Sequence, residues 1–266
     1  MKQLAADLRA EGDQLYGVLE TLSEADWARN TPFKNWTVND VMGHLHLGDW
    51  MVVLTMTDAD KYLEVRDARK KARDGGVGMN ESMAGLGPDI QQGPALLAQW
   101  RDHFLKMCDA FATADPKHRV KWSGPDMGVR MAATARQMET WAHGQEVYDL
   151  QRQPREVFDR LKNIAVLGVK TFGWTFANRG LTPPGAAPYV RLMAPSGEIW
   201  EWNEPDDTNK VEGLAVDFCR VVTQGRNITE VDLTVLGEPA TAWMAIAQCF
   251  AGAPNDPPEQ GVRGWS

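Results

Sequence analysis

The chain has 266 residues, 43% of them hydrophobic and 24% charged, which is the ordinary composition of a globular protein with one or two domains. Its formal net charge of −8 gives no indication of nucleic-acid binding. No apolar run is long enough to span a membrane, and the first ten residues carry Asp7 and lack the apolar core of a signal peptide. We therefore expect neither nucleic acid nor a membrane among its partners.

The number and spacing of the cysteines indicate a reducing compartment and no disulfide framework. Cys108, Cys219 and Cys249 are far apart in the sequence and form no CxxC pair. This usage fits a reducing environment, in which such residues serve as small buried apolar side chains. We expect a cytoplasmic protein.

The first part of the chain is predicted to be helical. Residues 2–22 carry leucines and valines at helical spacing. Thr37-Val-Asn-Asp40 has the form of a capping box, and the helix that it opens is predicted to run to about residue 57. His44 and His46 flank the apolar stripe of this helix from opposite sides. Periodicity does not choose between them as candidate ligands.

Charged residues dominate positions 58–74, which we interpret as a solvated helical extension. Residues 75–93 hold six glycines and are predicted to form a long loop. The loop either covers a site or is a surface insertion, and the sequence leaves both open. Pro94 then suits the first turn of an amphipathic helix that ends near residue 116.

The strongest chemical signal lies in residues 131–150, a predicted helix with no proline. Glu139 and His143 are four residues apart, so they lie on one helix face and can reach one metal ion. A third ligand from the upstream histidines would complete a typical catalytic zinc set with one open position. Such pairs are also common as solvated surface pairs. Here the apolar neighbours Met138, Trp141 and Val147 favour the metal-binding interpretation.

The character of the sequence changes after a segment rich in proline and glycine at residues 180–188. Before it, residues 157–178 are predicted to form a helix. After it, alternating patterns predict strands and helices in turn. The predicted strands are 189–194, 198–202 and 232–236, and the predicted helices are 211–224 and 240–250. The predicted fold is thus α plus α+β, with a helical domain at 1–180 and a small α+β domain at 188–266.

With these elements assigned, the chain resembles the DinB-like metal-binding superfamily and, within it, the mycothiol-dependent maleylpyruvate isomerase family. The resemblance lies in Trp36-Thr-Val-Asn-Asp-Val-Met-Gly-His44-Leu45 and in Glu139-Thr-Trp-Ala-His143-Gly-Gln-Glu-Val147, and it extends to the layout of nearly the whole chain. It implies a four-helix bundle with an extra helix, followed by the small α+β domain.

The resemblance also implies a ligand set and a cationic residue. The family position in the first motif falls on His44 and not on His46, so His44, Glu139 and His143 are the expected ligands of a divalent metal, zinc above all. Family members use an arginine of the C-terminal domain near the site, which matches Arg226 here, with Arg220 as the second candidate. Glu146 stands where relatives often have aspartate, which leaves the number of ligands open.

The implied activity is a metal-dependent isomerisation or S-transfer on a small electrophile such as a maleylpyruvate-like acid. Mycothiol or a similar low-molecular-weight thiol is the expected cosubstrate, since such a thiol has a pKa near ~8.5 and needs activation at neutral pH. Two alternatives stay open at this point. One is a hydrolase that uses metal-activated water at the same site, and the other is a non-catalytic protein that binds a metal and an apolar ligand.

Overall fold

The structure is a computed structural model that describes residues 1–77, 81, 85–122 and 126–263. Contacts divide it into two units, Met1–Val147 and Tyr148–Ser266. Because the division falls inside a helix, the predicted domain boundary between residues 180 and 188 stays a prediction. The helices that begin in the first unit are α1 (Lys2–Leu19), α2 (Glu24–Trp27), α3 (Val38–Thr57), α4 (Ala59–Asp74), α5 (Gly93–Thr113) and α6 (Val129–Gln151).

The long helices α1, α3, α5 and α6 form the four-helix bundle, and α4 is the extra helix, so the predicted fold class is confirmed. Apolar side chains of the bundle are fully excluded from solvent, among them Leu8 and Leu15 of α1 and Phe104 of α5. Burial of this apolar surface is the main force that holds the helices together. A short antiparallel hairpin of β1 (Arg119–Val120) and β2 (Met127–Gly128) precedes α6.

The start of α3 follows the predicted capping box. Thr37 Oγ1 accepts a hydrogen bond from the Asp40 backbone N–H at 3.1 Å, and Asp40 Oδ2 accepts one from the Thr37 N–H at 2.9 Å. These bonds satisfy N–H groups that a helix start leaves without partners. At the other end, Asp58 leaves the helical region with φ −150° and ψ 87°. Residues 59–74 are therefore a separate helix and not the predicted extension of α3.

The glycine-rich loop predicted at residues 75–93 lies partly outside the described residues, which omit 78–80 and 82–84. In its described part, Leu86 and Ile90 are partly buried against an apolar cluster on α3 and α4. The members of this cluster are Leu47, Met51, Tyr62 and Val65. The second half of the loop thus packs on helices α3 and α4.

The second unit contains a four-stranded mixed sheet in the order β4-β3-β5-β6. Strand β3 pairs with β4 antiparallel and with β5 parallel, and β5 pairs with β6 antiparallel. The strands are β3 (Tyr189–Met193), β4 (Ile199–Trp202), β5 (Lys210–Leu214) and β6 (Leu233–Leu236). The α-helices that begin in the described part of the second unit are α7 (Lys162–Lys170), α8 (Phe172–Ala177), α9 (Ala215–Val222) and α10 (Glu238–Ile246).

Two helices predicted in this unit are wrong in part. The helix predicted at 157–178 is two helices that begin only at Lys162 and are separated at Thr171, whose φ of −96° and ψ of 11° depart from helical values. The Thr171 hydroxyl donates to the carbonyls of Leu167 and Gly168 at this point. Residues 211–224 begin as strand β5, and the helix starts only at residue 215. Val211 is fully buried between the neighbouring strands, so pairing across the sheet overrides the helical periodicity.

The described part of the chain holds no helix that is both long and apolar enough to cross a membrane.

Candidate metal centre

Helices α3 and α6 bring the three predicted ligands together. His44 lies in α3, 95 residues before Glu139 of α6, yet its Nε2 atom is 3.0 Å from Glu139 Oε2. His143, one turn after Glu139, places its Nε2 atom 3.3 Å from the same oxygen. One ligand atom from each of the three lies within 4.8 Å of the other two, and among the described residues no other group of three such side chains does so.

The cluster is partly open to solvent, with side-chain exposures of 24% for His44, 22% for Glu139 and 13% for His143. Burial opposes ionisation of Glu139, but hydrogen bonds to His143 and His44 outweigh it and hold the pKa of Glu139 well below its usual value. Burial and the nearby His44 lower the pKa of His143, although Glu139 opposes this shift. An ionised carboxylate beside a neutral imidazole is the form in which both groups bind a metal.

Two aromatic rings pack on the histidines of the cluster. The Trp36 ring is stacked on the His143 imidazole at 5.9 Å and 16°, and the Phe33 ring meets the same imidazole edge-on at 5.1 Å. The intervening Lys34 and Asn35 have φ values of 51° and 56°, a left-handed conformation that is uncommon outside glycine. No sequence signal indicated that Phe33 would join Trp36 at the cluster.

His46 is placed apart from this cluster. It is 2% exposed, and neither ring nitrogen has a hydrogen-bond partner in the described part of the chain. Its ring meets that of His103 of α5 edge-on at 5.6 Å. Burial, with a smaller contribution from His103, lowers the pKa of His46 to about 4, so it is neutral at pH 7. His46 is therefore a buried neighbour of the ligand group.

The two predicted arginines lie in the second unit, where each pairs with an aspartate. Arg226 Nη2 is 2.7 Å from Asp149 Oδ1, and the side chain of Asp149 is 2% exposed. Arg220 Nη1 is 3.0 Å from Asp217 Oδ1 within α9. A role for either arginine at the metal centre stays a prediction.

Sequence reasoning missed a buried ion pair between the two ligand-bearing helices. Arg136 Nε donates to Asp49 Oδ1 at 2.8 Å, and the side chains are 4% and 0% exposed. The available signal was an arginine one turn before Glu139 and an aspartate one turn after His46, both among apolar residues. Neither was recognised, because a charged residue on one helix does not reveal its partner on another.

A model of the family described as "Mycothiol maleylpyruvate isomerase N-terminal domain" matches residues 8–148, which is more than half of the chain. The chain belongs to this family. The family predicted from the Trp-Thr-Val and Glu-x-x-x-His motifs is confirmed.

Similar proteins include two from Mycobacterium tuberculosis, the uncharacterized proteins MT0041 of strain CDC 1551 / Oshkosh and Rv0036c of strain ATCC 25618 / H37Rv. Each is 37% identical over 251 residues, which is 94% of this chain and 96% of the relative. Among solved structures, the mycothiol-dependent maleylpyruvate isomerase is 15% identical with a TM-score of 0.48, and a mutant of it is 13% identical with a TM-score of 0.49. Each alignment covers 82% of this chain and 87% of the other.

Proposed function

We propose that this protein is a divalent-metal-dependent enzyme that uses mycothiol, or a similar low-molecular-weight thiol, in an isomerisation or S-transfer on a small electrophilic substrate. The observation that carries the proposal is the convergence of His44, Glu139 and His143 to within 4.8 Å in a member of the mycothiol maleylpyruvate isomerase family. We further propose zinc as the metal and a maleylpyruvate-like acid as the substrate.

The donor set fits such a metal. Two imidazole nitrogens and one carboxylate oxygen are the ligands of many catalytic zinc sites, in which the fourth position is left to water or substrate. The lowered pKa of Glu139 keeps the carboxylate ionised, and the lowered pKa of His143 keeps its imidazole neutral. The partial exposure of all three side chains agrees with a site that a small molecule can reach. When bound, the metal supplies Lewis acidity that lowers the pKa of a group at its open position.

The chain's own residues have three proposed tasks. His44, Glu139 and His143 hold the metal, and their arrangement on two helices fixes the direction of the open position. Trp36 and Phe33 shield the His143 imidazole from water on one side, since their rings lie 5.9 and 5.1 Å from it. Arg226, with Arg220 as the second candidate, binds a carboxylate of the substrate or of the thiol. Its Nη2 donates to Asp149 and its Nη1 to the Gly225 carbonyl, and the guanidinium has five N–H donors, so these two bonds do not use its full capacity to bind a carboxylate.

The test combines metal content with thiol dependence. The purified protein is analysed for bound metal before and after addition of zinc, with His44→Ala as the metal-free comparison. Turnover of a cis-configured, maleylpyruvate-like acid is then followed with and without mycothiol. We expect about one equivalent of metal that survives dialysis, and a rate that requires both the metal and the thiol.

Other outcomes separate the alternatives. A rate that needs the metal but not the thiol would indicate a hydrolase. Ligand binding that persists without metal and without turnover would indicate a non-catalytic binding protein. No bound metal under any loading would refute the proposed site.

A further inference from the structure

We infer that the buried pair Arg136–Asp49 is a positioning contact that sets the geometry of the metal centre by fixing α6 against α3. This inference rests on the proposed function, because it concerns the ligands of the same metal. The pair joins the two helices that carry these ligands. Arg136 is three residues before Glu139 in α6, and its partners Leu45 and Asp49 are one and five residues after His44 in α3.

The contacts of the pair fix direction as well as distance. Arg136 Nε donates to Asp49 Oδ1 at 2.8 Å, and Arg136 Nη2 donates to the Leu45 carbonyl at 3.2 Å. Trp100 of α5 donates from Nε1 to the other carboxylate oxygen, Asp49 Oδ2, at 3.0 Å. The guanidinium of α6 is thus bound to two points of α3, and the aspartate is held from a third helix. Hydrogen bonds to charged groups in a buried site are directional and strong.

The position of these contacts couples them to the ligands. Leu45, whose carbonyl accepts from Arg136, directly follows His44 in α3. Arg136 itself is three residues before Glu139, so the two side chains lie on neighbouring turns of the same face of α6. A sliding of α6 along α3 that changes the distance from His44 Nε2 to Glu139 Oε2, now 3.0 Å, would also break the bonds of Arg136.

Space for the guanidinium comes from a glycine. A Cβ atom at Gly48 would lie 2.5 Å from Arg136 Nη1 and 2.8 Å from its Cζ, so no larger residue fits unless the arginine moves. Gly48 is inside α3, where glycine is a poor helix former compared with alanine. The helix thus contains an unfavourable residue at a position where its missing side chain makes room for Arg136.

A purely structural role is the competing explanation. Apolar residues of similar volume often replace a buried ion pair without loss of stability, so stability alone does not account for this pair. Apolar contacts are also non-directional and tolerate small shifts between helices. An ion pair with defined hydrogen bonds holds two helices in one register, which a three-ligand metal site requires.

The test is Gly48→Ala, because this change displaces the guanidinium and leaves every charged group and every ligand in place. Gly17→Ala in α1 is the matched control, since a Cβ atom there would meet nothing within 4 Å. Cobalt(II) serves as the probe, with affinity measured by titration and coordination geometry read from its visible absorption spectrum. We expect Gly48→Ala to weaken cobalt binding about 10- to 100-fold, the range found when groups that orient ligands are removed. Its spectrum should change, whereas Gly17→Ala should match the wild type in both.

A second pair of variants covers the case in which Gly48→Ala does not fold. Arg136→Lys keeps the positive charge but cannot donate to Asp49 and to the Leu45 carbonyl in the same geometry. Arg136→Met removes both the charge and the donors. Cobalt affinity should therefore fall from the wild type to Arg136→Lys and fall further in Arg136→Met. Folding is checked by circular dichroism of the metal-free proteins. Folded variants with the affinity and spectrum of the wild type, and with only a lower melting temperature, would overturn the positioning role and leave the metal site intact. A wild-type protein that binds no cobalt would refute the metal site and the positioning role together.

Discussion

Replacement of Glu139 by glutamine is the sharpest single test of the candidate metal centre. The two side chains have nearly the same shape, so helix α6 should be unaffected, but the amide oxygen is neutral and a poor metal ligand. Glu139 Oε2 is the atom that both histidines share, at 3.0 Å from His44 Nε2 and 3.3 Å from His143 Nε2. The change therefore removes the one carboxylate of the proposed ligand group and leaves both imidazoles in place.

The expected magnitude follows from the number of ligands. The apparent free energy of zinc binding at four-ligand sites is about 10–16 kcal/mol, which is about 3 kcal/mol per ligand. Loss of one ligand should therefore weaken zinc binding by about 100-fold, at 1.4 kcal/mol per tenfold change. Competition with a chromogenic chelator measures this affinity directly at pH 7.

Glu146→Gln is the matched control, because it makes the same chemical change seven residues later in α6, outside the group of three ligands. We expect its zinc affinity to stay within a few fold of the wild type. An affinity of Glu139→Gln equal to that of the wild type would refute the three-ligand site. An equal loss in both variants would instead show that Glu146 is a fourth ligand.

Three further predictions concern the neighbourhood of the site. His44→Ala and His143→Ala should each lose bound metal in elemental analysis, while His46→Ala should retain it. Metal loss from His46→Ala would show that the wrong histidine of α3 was assigned. Cys108, whose pKa burial raises to about 12, should resist a thiol reagent at pH 8 until the protein is unfolded, so fast labelling of the native protein at this residue would contradict its burial. Thr37→Ala should lower stability by about 1 kcal/mol, because it removes the side-chain cap of α3, and an unchanged melting temperature would show that the cap contributes nothing.

Local signals in the sequence predicted the long helices of the first unit, although they did not separate α4 from α3. The capping box at Thr37 and Asp40 marks the start of α3, and both partners of the box form the expected bonds. In the second half, strand β5 was mistaken for the first turn of a helix. Gly213 has φ +150°, and a Cβ atom there would lie 2.6 Å from the Asp232 carbonyl. This close approach to the neighbouring chain segment is a tertiary constraint that no local pattern displays.

In the candidate site too, some features follow from local sequence spacing and others depend on how the helices pack. The spacing of Glu139 and His143 predicts a shared helix face from the sequence alone. The choice between His44 and His46 came from the family motif, since both flank the apolar stripe of α3. The structure places His44 beside Glu139 and buries His46 against His103, a difference that depends on how α3 packs against α5 and α6. The pairing of Arg136 with Asp49, 87 residues away, depends on the same packing and was not predictable for that reason.

The location of the chain's own thiols bears on the proposed thiol requirement. Cys108, Cys219 and Cys249 are 1%, 0% and 5% exposed. Burial raises the pKa of Cys108 to about 12, so this thiol is protonated at pH 7. A buried sulfur in its neutral form is neither a nucleophile nor a metal ligand, and Cys108 lies outside the group formed by His44, Glu139 and His143. If the proposed reaction uses a thiolate, these properties favour the sulfur of a small cosubstrate over the chain's own cysteines.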